Sequence, residues 1–283
     1  MAYILKGNSI ARALTDPLVE QTQQLQKIGV FPTLAILRVG ARQEDISYET
    51  AILNRCAKIG IRVKRFIFPK NCTKEQIIDA VERINSDKYI HGCLVLRPLP
   101  DRAIEEAVCN LLAPEKDVDC ITPESLAGVF MGKSIGYPPC TAQACIEILD
   151  HYGIEIKGKQ VTVIGRSLVI GKPVSIMLEN RDATVTMCHT KTSKLKDICK
   201  SSEIIVAAAG NCEMIDTSYV SAGQIIIDVG VNTNKKGEFC GDVKFDKVES
   251  VVSAITPVPG GVGAVTTSVL CKHVVEAAER TQV

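Results

Sequence analysis

The stretch Gln160-Val-Thr-Val-Ile-Gly-Arg-Ser-Leu-Val-Ile-Gly-Lys-Pro173 has the residue types of a phosphate-binding turn. An apolar, β-branched run breaks at Gly165 into a short polar turn, and a helix opens near Gly171. A strand ending in glycine lets the backbone pass close to a pyrophosphate, and the following helix points free N–H groups and the positive end of its dipole at it. The spacing Gly165-x5-Gly171 departs from G-x-G-x-x-G, so the turn by itself is a partial match. The next strand-like run, 183–188, ends on His189, Thr190 and Lys191, where an NAD-selective site carries an Asp or Glu for the ribose 2′-hydroxyl. No carboxylate is there to repel a 2′-phosphate, and Arg166 and the Thr190 hydroxyl are placed to hold one through charge-assisted hydrogen bonds. NADP is therefore expected in preference to NAD. Without a ligand, Arg166 and Lys191 read as ordinary solvated loop cations.

The elements that must hold this turn alternate in type along the chain. Periodicity predicts helices over 15–28 and 45–58, ended by Gly29 and Gly60, with strands over 33–39 and 61–68. A helix over 73–85, a strand over 92–96 and a helix over 103–112 follow, then a loop rich in Pro and Gly over 114–139. Thr141 is expected to cap a helix to about residue 152, ahead of strands over 160–164, 204–208, 225–228 and 252–255 and a terminal helix over 264–280. Strands alternating with helices of this length imply parallel β-α-β units. The fold class expected is α/β, with two three-layer domains, the second a Rossmann-like NADP-binding domain. The first would span 1–120 joined by the terminal helix 265–283, and the second 121–264. Ligands of such sheets bind at the carboxyl ends of the strands, which puts the expected active site in a cleft between the domains.

A chain of 283 residues, 46% hydrophobic, is long enough for one large or two ordinary cores. Its 33 Lys and Arg nearly balance 32 Asp and Glu, with no basic block and few aromatics, which excludes the electrostatic footprint of a nucleic-acid binder. The 12 cysteines are scattered, without a C-x-x-C pair or a histidine at zinc spacing, so no metal site is expected and the thiols read as reduced core residues. No charged leader with an apolar stretch opens the chain, and no membrane span is legible, so the expected location is the cytoplasm. The four histidines show no partner spacing that suggests catalysis.

Further segments carry a likeness. Ser47-Tyr48, Pro114-Glu-Lys-Asp-Val-Asp119, Pro138-Pro-Cys-Thr141, Gly165-Arg-Ser167, Cys188-His-Thr-Lys-Thr192, Gly241-Asp-Val243 and Ile255-Thr-Pro-Val-Pro-Gly-Gly-Val-Gly263 occur in that order. Over nearly its full length the chain resembles the methylenetetrahydrofolate dehydrogenase/cyclohydrolase (FolD) family. The resemblance implies NADP-linked oxidation of 5,10-methylene- to 5,10-methenyltetrahydrofolate, hydrolysis of the product to 10-formyltetrahydrofolate, and a homodimer. It also implies that Asp119 accepts hydrogen bonds from the pterin ring, that Tyr48 lies at the folate, that Pro259, Gly260 and Gly263 line the substrate, and that the Val231 backbone meets the nicotinamide carboxamide. Gly165, Arg166, Ser167 and Thr190 complete the cofactor set.

Two departures from the family pattern bear on the chemistry. The family's Tyr-x-x-x-Lys pair is here Tyr48 and Ile52, one helical turn apart on a shared face. An alkyl side chain neither carries charge nor transfers a proton, so general acid–base catalysis from position 52 is absent. The supporting glutamine of Leu-Val-Gln-Leu-Pro-Leu-Pro is Leu96 in this chain. Cys120 stands for a glycine, and Ala142 and Ala264 for prolines. The expected activity is a dehydrogenase with weak or absent cyclohydrolase. The alternatives are a conventional bifunctional enzyme in which Arg97 or Arg55 replaces the lysine, and a non-catalytic folate- or cofactor-binding relative.

Overall fold

The computed structural model describes residues 1–234 and 237–281. In chain order the elements are β1 (Tyr3–Ile4), α1 (Gly7–Lys27), β2 (Thr33–Val39), α2 (Gln43–Ile59), β3 (Arg62–Phe68), α3 (Lys74–Ser86), β4 (Gly92–Val95), α4 (Arg102–Leu111), α5 (Pro123–Met131) and α6 (Cys140–His151). They continue as β5 (Gln160–Ile164), α7 (Gly171–Glu179), β6 (Thr184–Cys188), α8 (Leu195–Ser201), β7 (Ile204–Ala207), β8 (Ile225–Asp228), β9 (Asn232–Thr233), β10 (Phe239–Cys240), α9 (Phe245–Val248), β11 (Ala254–Ile255) and α10 (Val262–Arg280).

The chain divides into two compact units. One comprises Ala13–Cys140 with Thr267–Val283, whose last two residues lie outside the described ones, and the other Met1–Arg12 with Thr141–Thr266. The expected boundaries at 120 and 264 therefore shift, for two local reasons. Tyr3 and Ile4 pair in parallel with Ala254 and Ile255, which makes the amino terminus a strand of the second sheet. Beyond residue 120, the buried Asp117 carboxylate accepts the N–H groups of Ile121 and Thr122 at 2.9 and 2.8 Å, which ties that segment to the first unit.

The first unit holds a parallel three-stranded sheet, order β3-β2-β4. Its central strand β2 is buried along its whole length, and Ala35, Leu37 and Val39 pack with Ile77, Val81 and Ile84 of α3 and with Val108 of α4. A fully covered parallel strand reads as a continuous apolar run, which is what Thr33–Val39 presents apart from Arg38. Arg38 is buried because Glu49 of α2 accepts its Nε–H at 2.7 Å, while the same carboxylate takes Arg65 at 2.6 Å. Thr73 caps α3 in a full capping box with Gln76.

Part of the segment expected to be loop over 114–139 is helical. Thr122 accepts the Ser125 N–H, Pro123 takes the first helical position, and Gly132 closes α5 at φ 63°. Cys120, just before it, holds φ 59°, a left-handed conformation that a glycine adopts with less strain than a cysteine. Helix α6 begins at Cys140, so Thr141 lies inside it and is not its cap.

The second unit holds a six-stranded sheet, order β1-β11-β8-β7-β5-β6, parallel throughout. The order reverses direction at β5, the switch point of a doubly wound sheet. The short helices α8 and α9 and the strand β1 were not legible from periodicity, since two to seven residues are too few to show it. No described helix is long and apolar enough to cross a membrane, and no group of His, Cys, Asp and Glu among the described residues has the geometry to hold a metal ion.

Candidate active site

In the second unit Gly165 ends β5 at φ 135° and donates its N–H to Cys188 O at 2.9 Å. A Cβ on Gly165 would overlap the Ala208 carbonyl oxygen, and one on Gly171 would overlap the Gly165 carbonyl. Both glycines are thus required for β5, the turn and α7 to cross at backbone distance. Within the turn, Ser167 Oγ accepts the Ile170 N–H at 3.2 Å and its carbonyl accepts the Lys172 N–H at 3.0 Å, while Arg166 is exposed and has no ion pair among the described residues.

The end of β6 is wound on itself. Thr192 Oγ1 accepts the His189 N–H at 2.8 Å, and His189 Nδ1 accepts the Lys191 N–H at 3.1 Å. Thr190 and Lys191 are exposed, and no carboxylate stands among residues 188–192. An exposed lysine next to an exposed hydroxyl, with no carboxylate nearby in sequence, suits a phosphate monoester better than a ribose diol.

Two acids, Asp228 and Asp242, organise the neighbouring loops. Asp242 accepts the N–H groups of Ala209 (2.6 Å), Gly210 (3.0 Å) and Asn211 (2.8 Å), together with the Asn232 amide at 2.9 Å. Asp228, at the end of β8, accepts from Gly230, Asp242 and Val243 at 2.9–3.0 Å. Burial pushes the Asp228 carboxyl up to about 7 against those three donors, with the Asp242 charge adding to the rise. Gly230 and Gly241 are glycines because a Cβ on either would run into Asp242 or Asp228. The motif Gly241-Asp-Val243 was visible in the sequence, but the loops it gathers were not. Val231 leaves this network 68% exposed.

The segment after β11 contains a cis Val258–Pro259 bond and Gly260 at φ 97°. Gly7 N–H donates to Gly260 O at 2.8 Å, and a Cβ on Gly7 would overlap Gly261 O. Gly263, in the first turn of α10, has open space where a Cβ would stand, so the packing of its own unit does not require glycine there.

In the first unit Asp119 is half-buried, and its Oδ1 accepts the Cys140 N–H at 3.1 Å. Burial raises its carboxyl above the usual range, the Cys140 donors oppose that, Asp117 adds to it and Arg97 subtracts. Burial holds the Tyr48 phenol well above its usual value, and the charge of Asp119 is the next cause, so the fold brings these two residues of α2 and the 117–120 segment into one electrostatic environment. Ile52 is 0% exposed and Leu96 5% exposed, and the Leu96 N–H is held by Leu37 O at 2.9 Å.

Both arginines near these positions have partners. Arg97 lies beyond the end of β4, with Nη1 3.6 Å from Glu105 Oε1, while Arg55 Nη1 donates to Thr15 Oγ1 at 3.3 Å. Cys140 Sγ and His273 Nδ1 are 3.7 Å apart, which mimics a thiol–imidazole pair, but both groups lie against Val118 O at 3.2 and 2.9 Å and are buried. They are a structural clasp. A cavity of about 1310 Å³ in this unit lies by Thr33, Arg62 and His91, at the amino ends of the strands, and its Lys116 is spent on the carbonyls of Ile84, Asn85 and Asp87.

Comparison with known proteins then decides the family. Residues 5–119 match the tetrahydrofolate dehydrogenase/cyclohydrolase catalytic domain, and residues 139–282 match the NAD(P)-binding domain of the same enzymes. The chain belongs to the tetrahydrofolate dehydrogenase/cyclohydrolase family. A relative named bifunctional protein FolD from Clostridioides difficile is 47% identical over 274 residues, which are 97% of this chain and 96% of that one. The bifunctional FolD enzyme of Campylobacter jejuni superposes with a TM-score of 0.94 at 32% identity, covering 99% of this chain and 100% of the other. The Trypanosoma brucei family member, solved with NADP cofactor and an inhibitor, gives 0.93 at 34% identity, covering 99% and 98%. The two-domain α/β fold and its parallel Rossmann-like sheet agree with this family.

Proposed function

We propose that the chain is an NADP-dependent methylenetetrahydrofolate dehydrogenase whose cyclohydrolase activity is weak or absent. The observation that carries this reading is that Ile52 and Leu96 are both aliphatic and buried, at the positions where the resemblance implies lysine and glutamine. The two reactions differ in what they need. Oxidation of 5,10-methylenetetrahydrofolate moves one hydride from the methylene carbon and no proton, so it depends on alignment. Hydrolysis of the methenyl product adds water and releases a proton, which calls for a group that manages protons. Tyr48 and Asp119 supply alignment, Asp119 by accepting from the pterin ring, while Pro259, Gly260 and Gly263 line the folate. No ionisable side chain at position 52 supplies the second need.

NADP provides the hydride acceptor. The free Arg166 guanidinium, the Thr190 hydroxyl, the Ser167 turn and the close approach allowed at Gly165 suit its phosphates, and the backbone of the exposed Val231 is the proposed partner of the carboxamide. The enzyme is assigned to the cytoplasm and to a homodimer. The exposed edge strand β6, which pairs only with β5 among the described residues, supports a second copy as partner.

The test is a time course with methylenetetrahydrofolate and NADP that follows NADPH and methenyltetrahydrofolate separately. Equal accumulation of both, with methenyl decaying at the uncatalysed rate, is the expected result. Catalysed decay would instead favour a bifunctional enzyme, the reading supported by the 47% identical relative's name. No NADPH with either cofactor would leave a folate- or cofactor-binding protein.

A further inference from the structure

Cys212 and Cys240 lie 28 positions apart in sequence, yet their sulfur atoms are 2.7 Å apart. The backbone on both sides is already paired. Glu213 N–H donates to Gly241 O at 3.0 Å, Ile215 N–H donates to Asp242 O at 2.9 Å, and Ile215 and Val243 form a parallel bridge. Asp242 further anchors the 209–211 turn that leads into Cys212. A disulfide needs sulfur atoms at about 2.05 Å on backbones held at a compatible separation. Here the backbones are clamped by hydrogen bonds, and the sulfurs have less than an ångström to close.

Access separates this pair from the other close pair in the chain. Cys56 and Cys271 are 3.9 Å apart but 1% and 0% exposed, so a dissolved oxidant does not reach them. Cys212 is half-buried and Cys240 is 8% exposed, and both line a cavity of about 850 Å³ that also borders Phe239, Asn234 and Pro257, so Cys212 is the one an oxidant meets first. That volume admits a tripeptide disulfide.

We propose that Cys212 and Cys240 are a reversible oxidation site that takes small-molecule disulfides such as oxidised glutathione. A thiolate of the pair attacks one glutathione sulfur, forming a mixed disulfide and releasing one glutathione thiolate. The second cysteine of the pair then attacks the protein sulfur of that adduct and expels the second glutathione. Two protein thiols are oxidised to one disulfide, one glutathione disulfide is reduced to two thiols, and the two protons pass to the released thiolates. The bond ties the turn after β7 to the β9–β10 hairpin, which begins one residue beyond Val231. This inference does not depend on which folate reaction the enzyme performs.

The experiment incubates the full-length protein with oxidised glutathione, counts thiols and maps peptides by mass spectrometry. Wild type is expected to lose two of its 12 thiols, to yield a peptide pair linked through Cys212 and Cys240, and to recover all 12 with dithiothreitol. Cys212→Ser and Cys240→Ser should each retain one glutathione adduct on the remaining cysteine of the pair, because nothing is left to resolve it. Wild-type protein that keeps all its thiols, or that links Cys56 to Cys271 first, overturns the proposal.

Discussion

The first residue of α6 aims the carboxylate assigned to the folate ring: Cys140 N–H donates to Asp119 Oδ1 over 3.1 Å, across 21 positions of sequence. The backbone and the thiol of Cys140 both bear on this carboxylate, and they oppose the rise that burial imposes on it.

Asp119→Asn keeps an acceptor for Cys140 but removes the charge. A hydrogen bond to a charged group contributes roughly 1.5–3 kcal/mol, so kcat/KM for methylenetetrahydrofolate should fall about 10- to 100-fold. Steady-state kinetics beside a melting curve check this, and a Tm unchanged within a few degrees separates lost binding from lost folding.

Ile52→Lys introduces an amine at a position with no exposure. The variant should lose about 3 kcal/mol of stability, since a buried unpaired charge is expensive, and should hydrolyse methenyltetrahydrofolate at least about 10-fold faster than the parent. Flat hydrolysis in a folded variant would point to Arg97 or Arg55 as the working cation. A melting curve and the methenyl absorbance decide between these outcomes.

Arg166→Gln removes a cation that no acid of the described residues neutralises. KM for NADP should rise about 10- to 100-fold while KM for NAD stays within about twofold, because only NADP carries the 2′-phosphate. Equal losses for both cofactors would move Arg166 to the pyrophosphate.

Gly241→Ala places a methyl group against the Asp228 carboxylate. Overpacking of this kind typically lowers stability by about 1–3 kcal/mol, and denaturant unfolding of the variant should show it as a lower midpoint with the slope unchanged.

Asp228 predicts a pH dependence. Its folded carboxyl is raised from 3.8 to about 7, so between those values the native state holds more proton than the unfolded chain. Stability from this group is therefore greatest at the acid end and declines as pH rises towards 7, by at most about 1.4 kcal/mol per pH unit. Asp228→Asn should flatten that slope, read as denaturant midpoints at pH 5, 6 and 7 under roughly constant ionic strength.

Local patterns were legible wherever local physics decides them. The apolar run Thr33–Val39 and the glycine stops Gly29 and Gly60 that follow α1 and α2 are short-range devices, read from neighbours within four residues. Even so, the Thr-Pro start of α5 was passed over because the Pro- and Gly-rich composition around it signals loop more strongly.

The sequence by itself determined the α/β class and the family, and it marked the Gly165 turn and positions 52 and 96 as the places where the proposed chemistry is decided, since all of these reside in identity and order. Only the tertiary structure decided that Tyr3 and Ile4 belong to the second sheet, that Arg97 and Arg55 are already engaged, that Asp242 gathers the 209–211 turn, and that Cys212 meets Cys240. Apart from the Arg97–Glu105 pair, those facts join residues tens to hundreds of positions apart. Parallel strand pairing and buried hydrogen bonds form them, and neither leaves a periodic mark on the chain.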